Sequence, residues 1–220
     1  MNRVITSLRA LAGAAGLAVS GAVIGLSPTL TPIALAAPAR SPQLDQAVAA
    51  LRSITTMRAD FVQTDRGGRQ TSGVMTLKRP GRIRFQYGGG VPLLIVSDGR
   101  ALTLIDYEVR QVQRWPIRNS PLGALLDPAR DMAAYGKLQP TGDPGVISVE
   151  VRDSAHPEYG VITLVFARRA SAPGGLELTG WAALDSQSKR TIVRLSNHRY
   201  GMPIPDSAFR WTDPRTTVRR

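Results

Sequence analysis

The sequence contains no cysteine, only two histidines and few aromatic residues among its 220 positions. Without cysteine the chain can form no disulfide or thiolate metal site, and it cannot be lipid-anchored through an N-terminal cysteine. His156 and His198 stand in the turn-like contexts DSAHPEYG and SNHRYG, and neither has a second histidine at the spacing of a ligand pair. We expect both to be surface or packing residues. The sequence therefore predicts no metal site and no cofactor.

Motifs for nucleophilic or nucleotide chemistry are also missing. There is no G-x-S-x-G elbow and no Gly-rich loop that ends in Lys-Ser/Thr, so esterase and P-loop functions lack support. Asp98 in VSDGR and Asp106 in IDYE could form an acid pair, but Asp-Gly is a strong hairpin signal. We predict a protein that is not an enzyme. A secreted hydrolase that uses Asp98 or His198 remains the alternative from another functional class.

The first 36 residues are typical of a secretory signal. Arg3 and Arg9 are their only charges, an uncharged Ala/Gly/Leu/Val stretch follows from position 10, and the small-residue sequence ALA ends at Ala36. This order predicts a signal peptide over residues 1–36, with cleavage after Ala36, and an exported domain over residues 37–220.

A retained membrane anchor is the alternative, because the uncharged run continues to Ala39 and is long enough to cross a bilayer. Pro28, Pro32 and several glycines weaken such a helix. We favour cleavage and expect a soluble periplasmic protein with one domain.

The exported part is strongly basic. The chain has 28 Lys and Arg residues, of which 26 remain after Arg3 and Arg9 are removed, against 16 acidic residues, which leaves a net charge of +10. Such a surface attracts anionic lipid headgroups, acidic polysaccharide or nucleic acid. An exported protein is not expected to bind nucleic acid. In addition, no segment combines basic residues with several aromatic residues, as a groove that binds single-stranded nucleic acid would. A solvated basic surface without a specific partner is the alternative.

The exported chain begins with a helix and continues mainly as strands. Ser41 is a natural cap, Pro42 occupies the first helical position, and the apolar residues that follow have helical spacing. About ten strands are predicted, joined by short Gly-rich or polar turns. They cover residues 55–65, 71–79, 82–87, 91–97, 101–106, 109–115, 146–151, 161–167, 175–184 and 190–196, with a last short strand around Phe209.

Two short helices interrupt the strands in NSPLGALLDPARDMAAYG. Ser120 is the predicted cap of the first, with Pro121 at its first helical position, and the second is predicted to begin at Asp127-Pro128. Strands joined by such short connections pair antiparallel, since a parallel crossover needs a dozen residues or more. We therefore predict a mainly β fold with short helices, in which one large, strongly curved antiparallel sheet is closed by helices.

Alternation along residues 82–87 sorts this strand into two faces. Ile83, Phe85 and Tyr87 lie on one side, and Arg82 and Arg84 on the other. Ten strands offer more apolar inner surface than the few helical leucines can cover. Two interpretations follow: the sheet curls until it closes and fills its own interior like a small barrel, or its inner face holds an apolar ligand.

The order and spacing of several segments resemble one protein family. These segments are ADFVQ, SGVMTLKRPGRIRFQY, LIVSDGRALTLIDYEVRQVQRWPI, SPLGALL and YGMPIPDSAFRW. Together behind a signal peptide they resemble the LolA family, the periplasmic carriers of outer-membrane lipoproteins. The resemblance covers residues from about 44 to 212. No single motif is specific, since SDG and RPG are ordinary turns, and Leu104 stands where family members commonly carry a tryptophan.

The resemblance implies a curved, incomplete antiparallel barrel whose apolar cavity is covered by a lid of short helices and binds acyl chains. Arg79 matches the arginine of the family's RP motif, which holds the lid shut by hydrogen bonds to lid backbone. The candidates for lining the cavity are Phe61, Ile83, Phe85, Leu93, Ile95, Leu122, Leu125 and Leu126.

The implied partners are acylated lipoproteins, an inner-membrane lipoprotein-releasing ABC transporter that loads the carrier, and an outer-membrane lipoprotein receptor that accepts the cargo from it. The carrier itself is expected to be a monomer. A lipid or lipoprotein sensor of the same architecture is the nearest alternative.

Overall fold

Eleven antiparallel strands form one sheet in the computed structural model, which describes residues 41–117, 120, 122–128 and 130–215. The predicted signal peptide, residues 1–36, lies outside the described residues, as does Pro121. Within the described ranges no helix has both the length and the apolarity needed to span a membrane.

The strands form two groups in sequence. The first six are β1 (Thr56–Thr64), β2 (Gln70–Lys78), β3 (Arg82–Tyr87), β4 (Leu93–Ser97), β5 (Ala101–Asp106) and β6 (Gln111–Pro116). The other five are β7 (Gly136–Gln139), β8 (Val146–Arg152), β9 (Val161–Arg168), β10 (Leu176–Leu184) and β11 (Arg190–Tyr200). Each group is a meander in which consecutive strands pair, as the short turns predict.

Pairing of β1 with β11 joins the two meanders into one sheet with the order β6-β5-β4-β3-β2-β1-β11-β10-β9-β8-β7. In this pair Phe61 lies opposite Leu195 and Met57 opposite Tyr200. Strands β6 and β7 are the two edges and do not pair with each other. The sheet is therefore open, which excludes the closed small barrel and agrees with the incomplete barrel that the family resemblance implies.

Three short helices lie against the sheet: α1 (Pro42–Ser53), α2 (Gly123–Leu126) and α3 (Asp131–Tyr135). Helix α1 begins where the sequence predicts, with Ser41 as N-cap and Pro42 at the first position. Its apolar face is buried through Leu44, Val48 and Leu51, so amphipathic spacing rather than intrinsic propensity sets its position.

The second helical region begins later than predicted. Helix α2 has Leu122 as its N-cap, and the Ser120 hydroxyl accepts a hydrogen bond from the Leu122 amide at 3.2 Å. Helix α3 has Arg130 as its N-cap, so it does not begin at Asp127-Pro128. Both helices are short and turn-forming residues precede them, so packing rather than local sequence determines the residue at which each helix begins.

The structure contains one strand that was not predicted, and it lacks one strand that was. Strand β7, with the sequence GKLQ, has a single strongly apolar residue and no alternation, so it exists because it pairs with β8 at the edge of the sheet. The strand predicted around Phe209 is wrong: residues Asp206–Phe209 form a 3-10 turn. Pro203 and Pro205 precede this turn and have no amide hydrogen to donate to a strand ladder.

The sheet carries apolar clusters on both faces along β4 and β5. The larger inner cluster lies under the helices. A second cluster on the outer face contains Leu94, Val96, Ile105 and Phe209, with Trp211 packed against it. The C-terminal segment thus covers the outer face of β4 and β5, which explains why the sequence of β4 is apolar on both sides.

Basic side chains on the outer face of the β2–β3 hairpin hold this C-terminal segment. The Asp206 carboxylate accepts a hydrogen bond from Lys78 at 2.7 Å and forms an ion pair with Arg82. Arg84 donates to the backbone carbonyl of Arg210 at 2.9 Å. Hydrogen bonds from Arg82 and then from Lys78 lower the pKa of Asp206 to about 2. The alternating arginines of β3 therefore attach the end of the chain.

We expect Gly73→Ala to lower the free energy of unfolding by about 1–3 kcal/mol, since overpacking displaces neighbouring groups. A Cβ atom at Gly73 would lie 2.2 Å from the carbonyl oxygen of Gln86 and 2.8 Å from the Phe61 ring. Denaturant unfolding measures the difference. Gly88→Ala is the matched control, because its Cβ would come no nearer than 3.7 Å to the Ser72 carbonyl. Equal stability of the two variants would contradict this account of the packing.

We expect Asp206→Asn to lower stability at neutral pH and to lose this effect in acid. Folding lowers the pKa of Asp206 from 3.8 to about 2, so its contribution is complete above the unfolded pKa and disappears as the pH falls from about 4 through about 2. Unfolding of the wild type and the variant across this range measures the convergence. Glu108→Gln, in the exposed β5–β6 turn, is the control. A constant difference between wild type and Asp206→Asn would refute the role of the ion pairs.

Candidate functional site

The inner apolar cluster contains all eight residues that were predicted to line a cavity. Five are buried: Phe61, Ile83, Phe85, Leu125 and Leu126. The other three, Leu93, Ile95 and Leu122, are partly buried and pack against the same cluster. Residues from β1, β3, β4 and the α2 region therefore meet on one face of the sheet. Their binding of acyl chains stays a prediction.

Aromatic rings form the centre of this cluster. Phe61 makes edge-to-face contacts with Phe85 and Tyr87, at centroid distances of 5.5 Å and 5.2 Å, and Trp181 contacts Phe85 at 6.0 Å. The Tyr87 hydroxyl donates to the Gln63 side chain at 2.8 Å, and burial raises the pKa of Tyr87 to about 12. The hydroxyl is therefore neutral and satisfied at the border of the apolar cluster.

Tyr87 and Trp181 were not among the predicted cavity residues. The alternation of β3 gives the signal for Tyr87, which shares a face with Phe85. Trp181 lies in β10 of the second meander, and in the strand order β10 is separated from β3 by β11, β1 and β2. No local pattern of the sequence could have placed it there.

The cover over the inner face is incomplete towards the edge formed by β6. Leu104 lies opposite Ile95 in the β4–β5 pair, and Trp115 lies opposite Leu102 in the β5–β6 pair, so all four share the inner face. Leu102 is fully buried, whereas Ile95, Leu104 and Trp115 are only half-buried. The side chains of Ile95, Leu104 and Trp115 therefore form an apolar strip on β4, β5 and β6 that is partly exposed to solvent.

Arg79, between β2 and β3, connects the helices to the sheet. Its guanidinium donates to the carbonyl oxygens of Leu126 at 2.6 Å, Leu51 at 2.8 Å and Leu125 at 3.0 Å. Leu51 is in the last turn of α1, and Leu125 and Leu126 end α2. These carbonyls belong to the group that a helix leaves without an internal partner at its C-terminal end. One side chain therefore caps two helices at once.

The charge of Arg79 is retained although the group is largely buried. Burial lowers the pKa of Arg79 to about 10, and the nearby carboxylate of Asp127 raises it. The guanidinium is still a cation at neutral pH, and its planar fork suits three acceptors in different directions. Its Nε atom is buried and has no acceptor in the structure.

Other ionisable groups lie apart from this face. Asp98 and Asp106 cap turns at opposite ends of β5, where each accepts backbone hydrogen bonds, so they do not form an acid pair. His198 is buried against Tyr200 and lies 2.8 Å from the Leu178 carbonyl, whereas His156 is exposed. Within the described residues, no group of three His, Asp or Glu side chains could hold a metal ion.

Comparison with known proteins connects this arrangement to a family. The family model for the outer membrane lipoprotein carrier protein LolA matches residues 52–212. An outer-membrane lipoprotein carrier protein from Chromobacterium violaceum is 29% identical over 206 residues, covering 86% of this chain and 95% of the relative. Another from Dechloromonas aromatica is 29% identical over 181 residues, covering 78% of this chain and 84% of the relative.

A solved structure of a LolA superfamily protein from Nitrosomonas europaea is also similar. Its TM-score is 0.45 at 12% identity, and the match covers 79% of this chain and 99% of that one. The family model itself spans the strands that carry the inner cluster, Arg79 and the C-terminal segment. The chain belongs to the LolA family of outer membrane lipoprotein carrier proteins.

Proposed function

We propose that this protein is a periplasmic carrier that binds the acyl chains of lipoproteins released from the inner membrane and delivers them to the outer membrane. The observation that carries the proposal is Arg79, which fastens two lid helices over a large apolar face. The curated relatives are named outer-membrane lipoprotein carrier proteins, which supports the same cargo. The proposal assigns binding and release to this chain, and no catalysis.

Acyl chains suit the inner face energetically. Each methylene removed from water stabilises a complex by roughly 0.8 kcal/mol, so even partial burial of several chains gives strong binding. The half-buried strip of Ile95, Leu104 and Trp115 offers a place where such chains could first contact the sheet. Displacement of α2, which carries Leu125, would then extend this surface to Phe85 on β3.

Release is the harder step, because the receiving site must hold the cargo more tightly than the carrier does. The bonds of Arg79 help here, since they form in the closed, empty state and offset part of the binding energy. We propose that an inner-membrane ABC transporter supplies the work of loading and that an outer-membrane receptor accepts the cargo from a monomeric carrier. The nearest alternative is a sensor or binding module that retains another amphiphile.

We expect protein purified from the periplasm under gentle extraction to retain acylated lipoprotein. Mass spectrometry of the bound species tests this. Ile95→Gln should reduce the retained amount roughly tenfold, because the inner face loses an apolar contact worth about 1.4 kcal/mol. Val62→Gln is the matched control, since Val62 is an exposed aliphatic residue on β1. Absence of any acylated species would count against a carrier, and retention of a different amphiphile would favour the alternative module.

We expect Arg79→Leu to load cargo normally but to deliver it to the receptor at least tenfold more slowly. Loss of the charge-assisted bonds, each worth about 1.5–3 kcal/mol, removes the stability of the closed state that favours release. Arg79→Lys keeps the charge without the fork and should be milder. Separate assays of loading and transfer measure both effects, with Arg194→Leu on the exposed face of β11 as the control. Normal transfer, or failed loading by a folded variant, would refute the latch.

A further inference from the structure

A pocket of about 590 Å³ lies at the end of the sheet where Arg79 meets the helices. Its walls come from the end of α1, the turn after β2, the turn after β4, the end of β6, and the segment between α2 and α3. Among the lining residues are Arg52, Arg79, Arg100, Arg130, Asp127 and Leu126. Its size is typical of ligand pockets.

The fold brings the two turns of this pocket into direct contact. A Cβ atom at Gly81 would lie 3.0 Å from the Cα atom of Gly99, and the Ser97 hydroxyl donates to the Gly81 carbonyl at 2.7 Å. Gly81 has a φ of +65° and Gly99 a φ of +98°, conformations that favour glycine. This close approach places Arg79 and Arg100 beside one pocket although 21 positions separate them in sequence.

The pocket is strongly cationic. Four arginines, Arg52, Arg79, Arg100 and Arg130, face a single carboxylate, Asp127, among the described residues that line it. Arg130 forms a long ion pair with Asp127 at 3.9 Å. The carboxylate of Asp98, next to Gly99, is paired with Arg114. The rim therefore carries a clear excess of positive charge, on guanidinium groups that match the geometry of a phosphate.

The floor of the pocket is apolar. Leu126 and Ile117 are buried members of the inner apolar cluster and also line the pocket, with Pro116 and Pro128 beside them. A cationic rim over an apolar floor suits an amphiphile with a negatively charged head.

We propose that this pocket binds the phosphate of an anionic phospholipid headgroup and thereby sets the lid end of the protein against a membrane surface. Arg52, Arg100 and Arg130 are exposed, so a headgroup in the pocket can reach their side chains. The phosphate would lie next to Arg79, so its oxygens compete with the helix carbonyls for the donors of the latch. This link to lid opening rests on the proposed function, whereas the binding site itself does not.

The test compares vesicle binding of two triple variants that lose the same charge. Arg52→Gln, Arg100→Gln and Arg130→Gln remove the rim of the pocket. Arg58→Gln, Arg194→Gln and Arg199→Gln remove three exposed arginines from β1 and β11. The probes are vesicles of phosphatidylcholine alone, vesicles of phosphatidylcholine with phosphatidylglycerol, and inorganic phosphate. Co-sedimentation and calorimetry measure the affinities, and circular dichroism checks folding.

We expect the wild type to bind the vesicles that contain phosphatidylglycerol, and the pocket variant to bind them roughly a hundredfold more weakly, since each basic residue at an anionic membrane contributes about fivefold. The variant of β1 and β11 should retain most of the affinity. Equal losses of affinity in both variants would show that net charge alone causes the binding. No loss of affinity in either variant would refute the proposed site. Binding of inorganic phosphate without vesicle binding would overturn the headgroup assignment.

The result is independent of lipoprotein carriage. A protein that binds vesicles through the pocket but retains no acylated cargo would keep this site and refute the carrier. A protein that carries cargo but binds vesicles equally well after the loss of either set of arginines would support the carrier and refute this site. Each of the two proposals can therefore be refuted without affecting the other.

Discussion

The pairing of β1 with β11 is the contact on which the rest of the structure depends. It joins two meanders that are each local in sequence and turns them into one sheet. Helix α1 leads directly into β1, and Arg79 follows β2, so the placement of β1 also positions the helix and the side chain that fastens it. Phe61, on the same strand, contacts Phe85, and Phe85 in turn contacts Trp181 of the second meander.

An open sheet with apolar residues on both faces needs two covers, and the two covers of this protein differ in how they are held. The C-terminal segment on the outer face is attached by several basic side chains of β2 and β3 and by the packing of Phe209. On the inner face, Arg79 holds the ends of α1 and α2 by three hydrogen bonds from one side chain. The contacts of the C-terminal segment are distributed over several side chains, whereas the three bonds of Arg79 depend on one side chain and can be exchanged without unfolding the sheet.

Much of the fold could be predicted because its signals are local. The alternation in β3, the Asp-Gly turn at Asp98 and the proline at the start of α1 each act over a few residues, and each predicted element lies where these signals place it. Strand β7 and the 3-10 turn at Phe209 could not be predicted, because their conformations depend on partners distant in sequence. The family resemblance pointed to Arg79, but the RPG turn alone gives no sign of which carbonyls the guanidinium reaches.

The connection between β6 and β7 has a mechanical consequence. It starts at one edge of the sheet, carries α2 and α3, and returns at the opposite edge. A segment attached at both ends cannot swing aside like a flap on one hinge. The distance between the helices and the sheet is therefore coupled to the distance between the two edge strands, β6 and β7. Any change that widens the sheet would therefore put this connection under tension and pull α2 and α3 with it.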